Sequence, residues 1–151
     1  MTHPMTSLDG TPASRLAFGT MQFGGRADAA ASRAMFDACI AGGITHFDTA
    51  YVYTDGASEA LLGSMIGEHR DRLIIATKAA YSGGGSKANI TSSFETSRQR
   101  LKQDMVDVLY MHRFDPDTDL HESMEAMTEL KAAGKIRYVG VSNFAAWQVM
   151  K

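Results

Sequence analysis

At 151 residues, with 44% apolar and 21% charged side chains, the chain holds enough apolar material for one domain with a real core, which excludes the disordered and fibrous classes. Its 15 basic and 17 acidic residues leave a net charge of −2, so it lacks the broad basic footprint of nucleic-acid or anionic-membrane binders. The single cysteine, Cys39, excludes an internal disulfide and a cysteine-based zinc cluster and fits a reducing, cytoplasmic setting.

Residues 1–8 carry neither the positive leader nor the apolar run of a signal peptide, and no later stretch reaches the length of a membrane span. The first buried strand is predicted over residues 16–18. A helix follows over 30–41, where Ala34, Phe36, Ala38 and Ile40 interleave with Arg33 and Asp37, and Gly42-Gly43 stops it. Cys39 is expected to pack within that helix rather than to react. The second strand is predicted over 44–47. The next helix is expected to be capped by Ser58, to carry Leu61, Leu62, Met65 and Ile66, and to close at Gly67.

A third strand is predicted over 73–76. Residues 81–87, with Gly83-Gly84-Gly85, have no regular period and are expected to form a mobile loop placed where a ligand can be touched. They lack the strand-to-helix G-x-G-x-x-G pattern, so they do not mark a doubly wound dinucleotide site. Asn89, Thr91 or Ser92 opens a third helix that runs through Phe94 to Leu101. The fourth strand spans 106–111 and the fourth helix 120–133, closed by Gly134, with Met124, Met127 and Leu130 spaced to face a core. A fifth strand is predicted over 138–141.

The strand starts are 28, 29, 33 and 32 residues apart, near the ~30 residues of one strand, helix and return. Such alternation gives a parallel sheet covered by helices, either open and doubly wound or rolled into a barrel, and periodicity does not decide between them. A complete eight-stranded barrel needs about 250 residues. A barrel here is therefore expected to be incomplete, a single domain over residues 1–151 cut short at its C-terminal end, with about five strands and four helices.

Polar residues stand at the ends of these strands: Asp48 after the second, Lys78 after the third, His112 after the fourth and Ser142-Asn143 after the fifth, with Tyr53 in the loop beyond Asp48. In parallel α/β folds those ends form one face, where groups from distant strands converge. Singly, each has a structural reading: Asp48 and Asn143 as caps, Tyr53 as a half-buried loop aromatic, Lys78 extended into solvent, His112 as a hydrogen-bonded core histidine. Together they suit carbonyl reduction. A phenol is a weak acid at neutral pH, and an ammonium beside it makes it a readier proton donor. A carboxylate holds the ammonium, and an imidazole N–H steadies the carbonyl oxygen. None of these groups supplies hydride, which calls for a nicotinamide.

The segments F-D-T-A-Y-V-Y (47–53), A-T-K (76–78), D-V-L-Y-M-H-R (107–113) and G-K-I-R-Y-V-G-V-S-N-F (134–144) resemble signatures of the aldo-keto reductase family, in that family's order, and L-A-F-G-T-M-Q-F-G (16–24) resembles its first barrel strand. The resemblance implies a parallel (β/α)8 TIM-type barrel and reduction of an aldehyde or ketone, with Tyr53 as proton donor, Lys78 and Asp48 as its tuning pair and His112 at the carbonyl. It implies NADPH as cofactor, with NADH open as the alternative, and no metal. It places Ser142 and Asn143 against the nicotinamide carboxamide, and Gly19, Thr20, Met21 and Asp48 beside cofactor and substrate. Thr54-Asp55 stands where the family often has glycine. The implied partner is a small-molecule carbonyl compound, with neither nucleic acid nor membrane. The alternative reading is a catalytically inactive truncated barrel that serves as a cofactor-binding or protein-interaction module, as some members do in ion channels. Open barrel edges further predict self-association.

Overall fold

The computed structural model describes residues 5–151; the first four residues of the stretch read above for a leader lie outside that range. Five strands form a parallel sheet: β1 (Ala17–Gly19), β2 (His46–Asp48), β3 (Ile74–Ala79), β4 (Val106–Met111) and β5 (Ile136–Val141). Helices α1 (Ala29–Ala41), α2 (Ala57–Ile66), α3 (Lys87–Leu101) and α4 (Leu120–Ala132) alternate with them, and the four-residue α5 (Ala146–Val149) follows β5. The strands neighbour one another in chain order, β1-β2-β3-β4-β5, with no crossover to reverse the direction. A doubly wound sheet needs such a reversal. The order is therefore that of a barrel wall.

Alternation along the strands sorts their side chains. Phe47, Ile75 and Leu109 join Phe36, Leu62, Ile66, Ile90, Phe94 and Met127 of the helices in one buried cluster. A smaller cluster of Ile74, Ala76 and Val108, with Tyr110 and Tyr138, occupies the other, inner face. Asp48 and Lys78 share that inner parity, because Asp48 pairs with Ala76 and Lys78 stands two residues further along β3. Gly140 pairs with Tyr110, and a Cβ there would lie 2.4 Å from the Tyr110 ring, so the absence of a side chain lets that ring lie across β5.

The outer strands differ from the buried strands expected. Every residue of β3 is buried, whereas none of β1 is, and Leu16 and Val139 are exposed. Position explains this, since β1 and β5 are the two margins of the sheet and have a neighbour on one side only. Cys39 packs within α1, and Met127 is buried with Met124 and Leu130 packed beside it, as their spacing implies. Among the described residues, no helix is long and apolar enough to cross a membrane.

Three local expectations are corrected. Ser58 does not cap α2; it is a fully buried residue of the first turn, and its backbone N–H is received by the Thr54 hydroxyl at 3.0 Å. Ser86, not Asn89, Thr91 or Ser92, is the N-cap of α3. The glycine loop before it is laced down rather than free. Asn89 Nδ2 donates to the carbonyls of Ser82 (2.9 Å) and Gly84 (2.6 Å), the Gly85 N–H reaches Asp115 (2.6 Å), and the Ser123 hydroxyl reaches the Gly85 carbonyl (2.6 Å). In each case a short polar side chain satisfies a backbone group, three to seven residues away at the helix starts and in the loop, and 30 or more for the Asp115 and Ser123 contacts, which apolar periodicity does not reveal.

Candidate active site

Asp48, Lys78 and His112 converge at the C-terminal edge of the sheet. Asp48 ends β2, and Lys78 lies inside β3, one residue before its end, because that strand runs three residues further than the apolar pattern implied. The Lys78 ammonium donates to Asp48 Oδ1 and, at 2.8 Å, to the Thr49 carbonyl. Lys78 is only 7% exposed and its bond to Thr49 is buried while Asp48 keeps part of its carboxylate in solvent, so the lysine is neither the solvent-extended side chain of the structural reading nor free to wander. Asp48 makes an ion pair rather than a cap.

Tyr53 closes on this pair from the loop after β2. The loop is pinned to β3 by Thr49 N–H to Ala76 O (2.9 Å) and Tyr51 N–H to Lys78 O (3.1 Å). Beyond Tyr53 the backbone turns sharply, with Thr54 and Asp55 both left-handed at φ 48° and 53°. Glycine takes that conformation without strain. Thr54 is held in it by its hydroxyl, which donates to the Phe23 carbonyl at 2.7 Å while receiving Ser58 N–H. The result sets the Lys78 ammonium 4.9 Å from the centre of the Tyr53 ring. Among the described residues the Tyr53 hydroxyl has no hydrogen-bond partner, which leaves it available to a ligand.

His112, the first residue after β4, lies edge-on to Tyr53 with ring centres 5.8 Å apart. Burial, and secondarily the Lys78 ammonium, push its pKa down to about 4. It is therefore neutral at physiological pH. Its Nδ1 is buried with no hydrogen-bond partner. An orphaned lone pair is less costly there than an orphaned N–H, which favours the tautomer carrying its proton on Nε2. That tautomer can donate to an oxygen in the site.

Ser142 and Asn143 follow β5 and are tied to the same edge. Asn143, left-handed at φ 55°, donates from Nδ2 to the His112 carbonyl at 2.8 Å, and Ser142 N–H donates to Met111 O at 2.8 Å. Neither residue caps a helix; Ala145 occupies that position for α5. Gly19 pairs with Asp48 across β1 and β2. Thr20 is fully buried, its hydroxyl 2.9 Å from that of Ser58, which stands 2.8 Å from the Thr49 hydroxyl. Of the Gly19-Thr20-Met21 turn, Met21 is the exposed side chain.

Several contributors carried no recognisable signal. The Ser58 hydroxyl also donates to Thr20 O at 2.8 Å, so one buried side chain staples the turn after β1 to the loop after β2. Fully buried Glu59 receives the Thr77 hydroxyl at 2.6 Å and pairs with Arg100 at 3.2 Å, and Arg100 in turn donates to Tyr51 O at 2.9 Å. A Cβ on Gly56 would meet the Arg100 guanidinium at 2.4 Å. This lattice fixes the loop carrying Tyr53 against the strand carrying Lys78. Tyr81, from the glycine loop, rests on His112 at 4.8 Å between ring centres. Only a reading of Ser58-Glu59 as inward-facing would have found the first two, and a cap assignment hides it.

Residues 15–151 match the model of the aldo/keto reductase family. The chain is 40% identical over 136 residues to aflatoxin B1 aldehyde reductase member 2 of Rattus norvegicus, covering 87% of this chain and 37% of that protein. It is 33% identical over 150 residues to a probable voltage-gated potassium channel subunit beta of Arabidopsis thaliana, covering 93% and 46%. Among solved structures, an aldo-keto reductase from Klebsiella pneumoniae in complex with NADPH superposes with a TM-score of 0.86 at 32% identity, covering 99% of this chain and 53% of that one. The chain thus spans about half the length of these relatives or less.

Proposed function

Since this chain belongs to the aldo/keto reductase family, we propose that it reduces aldehyde or ketone carbonyls to alcohols, with NADPH as hydride source. The observation that carries the reading is the pair of buried Lys78 with half-buried Asp48 under the Tyr53 ring, with neutral His112 at its edge. Three elements of different sequence position meet there, and a carbonyl oxygen between Tyr53 and His112 would face two hydrogen-bond donors.

The residues after β5 suit a nicotinamide carboxamide. Asn143 spends its Nδ2 on the His112 carbonyl, which leaves its Oδ1 to accept, while the Ser142 hydroxyl can donate. When bound, the reduced nicotinamide supplies hydride to the carbonyl carbon. Tyr53 gives its hydroxyl proton to the oxygen, so that C=O gains one hydride and one proton and becomes an alcohol. Lys78 steadies the negative charge that develops on the Tyr53 oxygen, and Asp48 with Thr49 O keeps the ammonium in place. His112 donates from Nε2 to the carbonyl oxygen and orients it.

Tyr53→Phe tests the assignment. With 4-nitrobenzaldehyde, NADPH consumption followed by absorbance should fall by about 10²–10⁴ in kcat, while NADPH binding, followed by fluorescence, stays. Turnover undiminished in Tyr53→Phe would overturn it. A second reading, a non-catalytic module that binds the cofactor or another protein, draws on the 37% share of the rat relative that the chain spans. NADPH binding with no turnover, unchanged after fusion to the C-terminal half of a family member, would favour that second reading.

A further inference from the structure

Arg113 follows His112 at the end of β4 and is exposed. Its guanidinium carbon lies 4.9 Å from the centre of the Tyr81 ring, and that ring rests on His112 at 4.8 Å. A cation over an aromatic face is held by the ring's quadrupole and loses part of its rotational freedom. Arg113 is thus mounted at the mouth of the site, not trailing in solvent.

The charge it brings is held in no ion pair, although the Asp115 carboxylate lies near enough to feel it. Arg33, Arg70, Arg98, Arg100 and Arg137 each pair with a carboxylate, whereas Arg113, like Arg15, Arg26 and Arg72, makes no ion pair among the described residues, and it donates no hydrogen bond among them. The carboxylate nearest in sequence, Asp115, is committed elsewhere: it receives Gly85 N–H at 2.6 Å, the Thr118 hydroxyl at 2.7 Å and Asp117 N–H at 3.1 Å. Inside the site Lys78 is neutralised by Asp48. One positive charge without an ion-pair partner therefore remains at the opening. It lies over Tyr81, on the β3 side of His112, while the residues suited to the carboxamide stand on the β5 side.

We propose that Arg113, braced on Tyr81, selects carbonyl substrates that carry a carboxylate, by pairing with that group while the carbonyl reaches Tyr53 and His112. This substrate class rests on the carbonyl-reductase reading above. A guanidinium meets a carboxylate through two parallel N–H donors, and an anion also gains from attraction on approach.

The experiment compares 4-formylbenzoate with 4-formylbenzamide, which match closely in shape and differ in charge. The ratio of their kcat/KM values should favour the carboxylate, and Arg113→Gln should reduce that ratio about tenfold, with Arg113→Lys intermediate. Raising salt from 50 to 500 mM should shrink the wild-type preference, because the pair is exposed to solvent. The same two compounds are compared by saturation-transfer NMR without cofactor, so that a protein unable to turn over either aldehyde still reports whether Arg113 holds the carboxylate. No turnover with a carboxylate-selective, Arg113-dependent NMR signal would fault the catalytic reading and leave this proposal standing. Equal loss for both compounds in Arg113→Gln, or no preference in the wild type, would overturn the proposal. So would NADPH binding weakened in that variant, which would assign the cation to a cofactor phosphate.

Discussion

His112 couples the chemistry of the site to the stability of the fold. Held to about 4 against an ordinary 6.5, it binds a proton less readily when folded than when unfolded. Between those two values the unfolded state carries the extra proton, so the contribution of neutral His112 is present in full above pH 6.5 and is lost as pH falls toward 4. Burial moves His46 in the same direction, so the wild-type slope alone does not isolate His112. The discriminating comparison is with His112→Gln: urea midpoints measured at pH 7, 6 and 5 should fall more steeply for the wild type. Matching slopes would mean that His112 is not held neutral. In turnover the same residue should produce no break in kcat/KM between pH 6 and 7, where an ordinary histidine titrates.

At the scale of elements, the bend after Tyr53 is where local preference and function disagree. Left-handed backbone costs an L-residue roughly 1–2 kcal/mol, and the chain places Thr54 and Asp55 there in succession. The two are not equivalent. Thr54 offsets its strain with two hydroxyl hydrogen bonds, whereas Asp55 makes none among the described residues. Asp55→Gly should therefore stabilise the fold by about 0.5 kcal/mol, the relief of strain less the greater entropy of glycine when unfolded. Thr54→Gly should destabilise it by about 1 kcal/mol through the lost hydrogen bonds. Thermal melts of the two variants that move in the same direction would contradict this account.

The same bend shows which parts of the molecule were legible in advance. Strand and helix positions, the closing glycines after α1, α2 and α4, and the convergence of Asp48, Lys78 and His112 all follow from period and from parallel topology, which act locally or uniformly. The strand limits slipped where a polar residue lies inside the sheet, as Lys78 does, because its counter-charge is supplied by Asp48, 30 positions away. Ser58 and Glu59 read as a helix opening for a similar reason. Their partners Thr20, Thr49, Thr77 and Arg100 lie on other elements, and no one-dimensional pattern brings those residues together. The Tyr81–Arg113 stack at the mouth joins two loops, so it too had no sequence signal.

For the whole molecule, the governing fact is that the sheet has two margins. Strand order β1 to β5 is that of a barrel wall, and the solved barrels it matches are about twice as long. Expressed as these 151 residues alone, the chain presents the backbone groups of β1 and β5 on their outer sides, beside exposed Leu16 and Val139, with Trp147, Val149 and Met150 also exposed at 64%, 57% and 86%. Unpaired strand edges flanked by apolar side chains recruit further strands. We therefore expect concentration-dependent self-association of this polypeptide by light scattering between about 1 and 100 μM, the range in which exposed edges drive association. Leu16→Lys with Val139→Lys should shift it toward monomer, since charge at an edge opposes pairing, while the far-ultraviolet circular dichroism stays that of an α/β fold. A monomer at the upper concentration with cooperative unfolding would show that the two margins are protected within a single chain. It would also locate the stability of the fold in β3, β4 and the inward-facing residues of α2 and α3, such as Leu62, Ile66, Ile90 and Phe94, which are buried within the single chain.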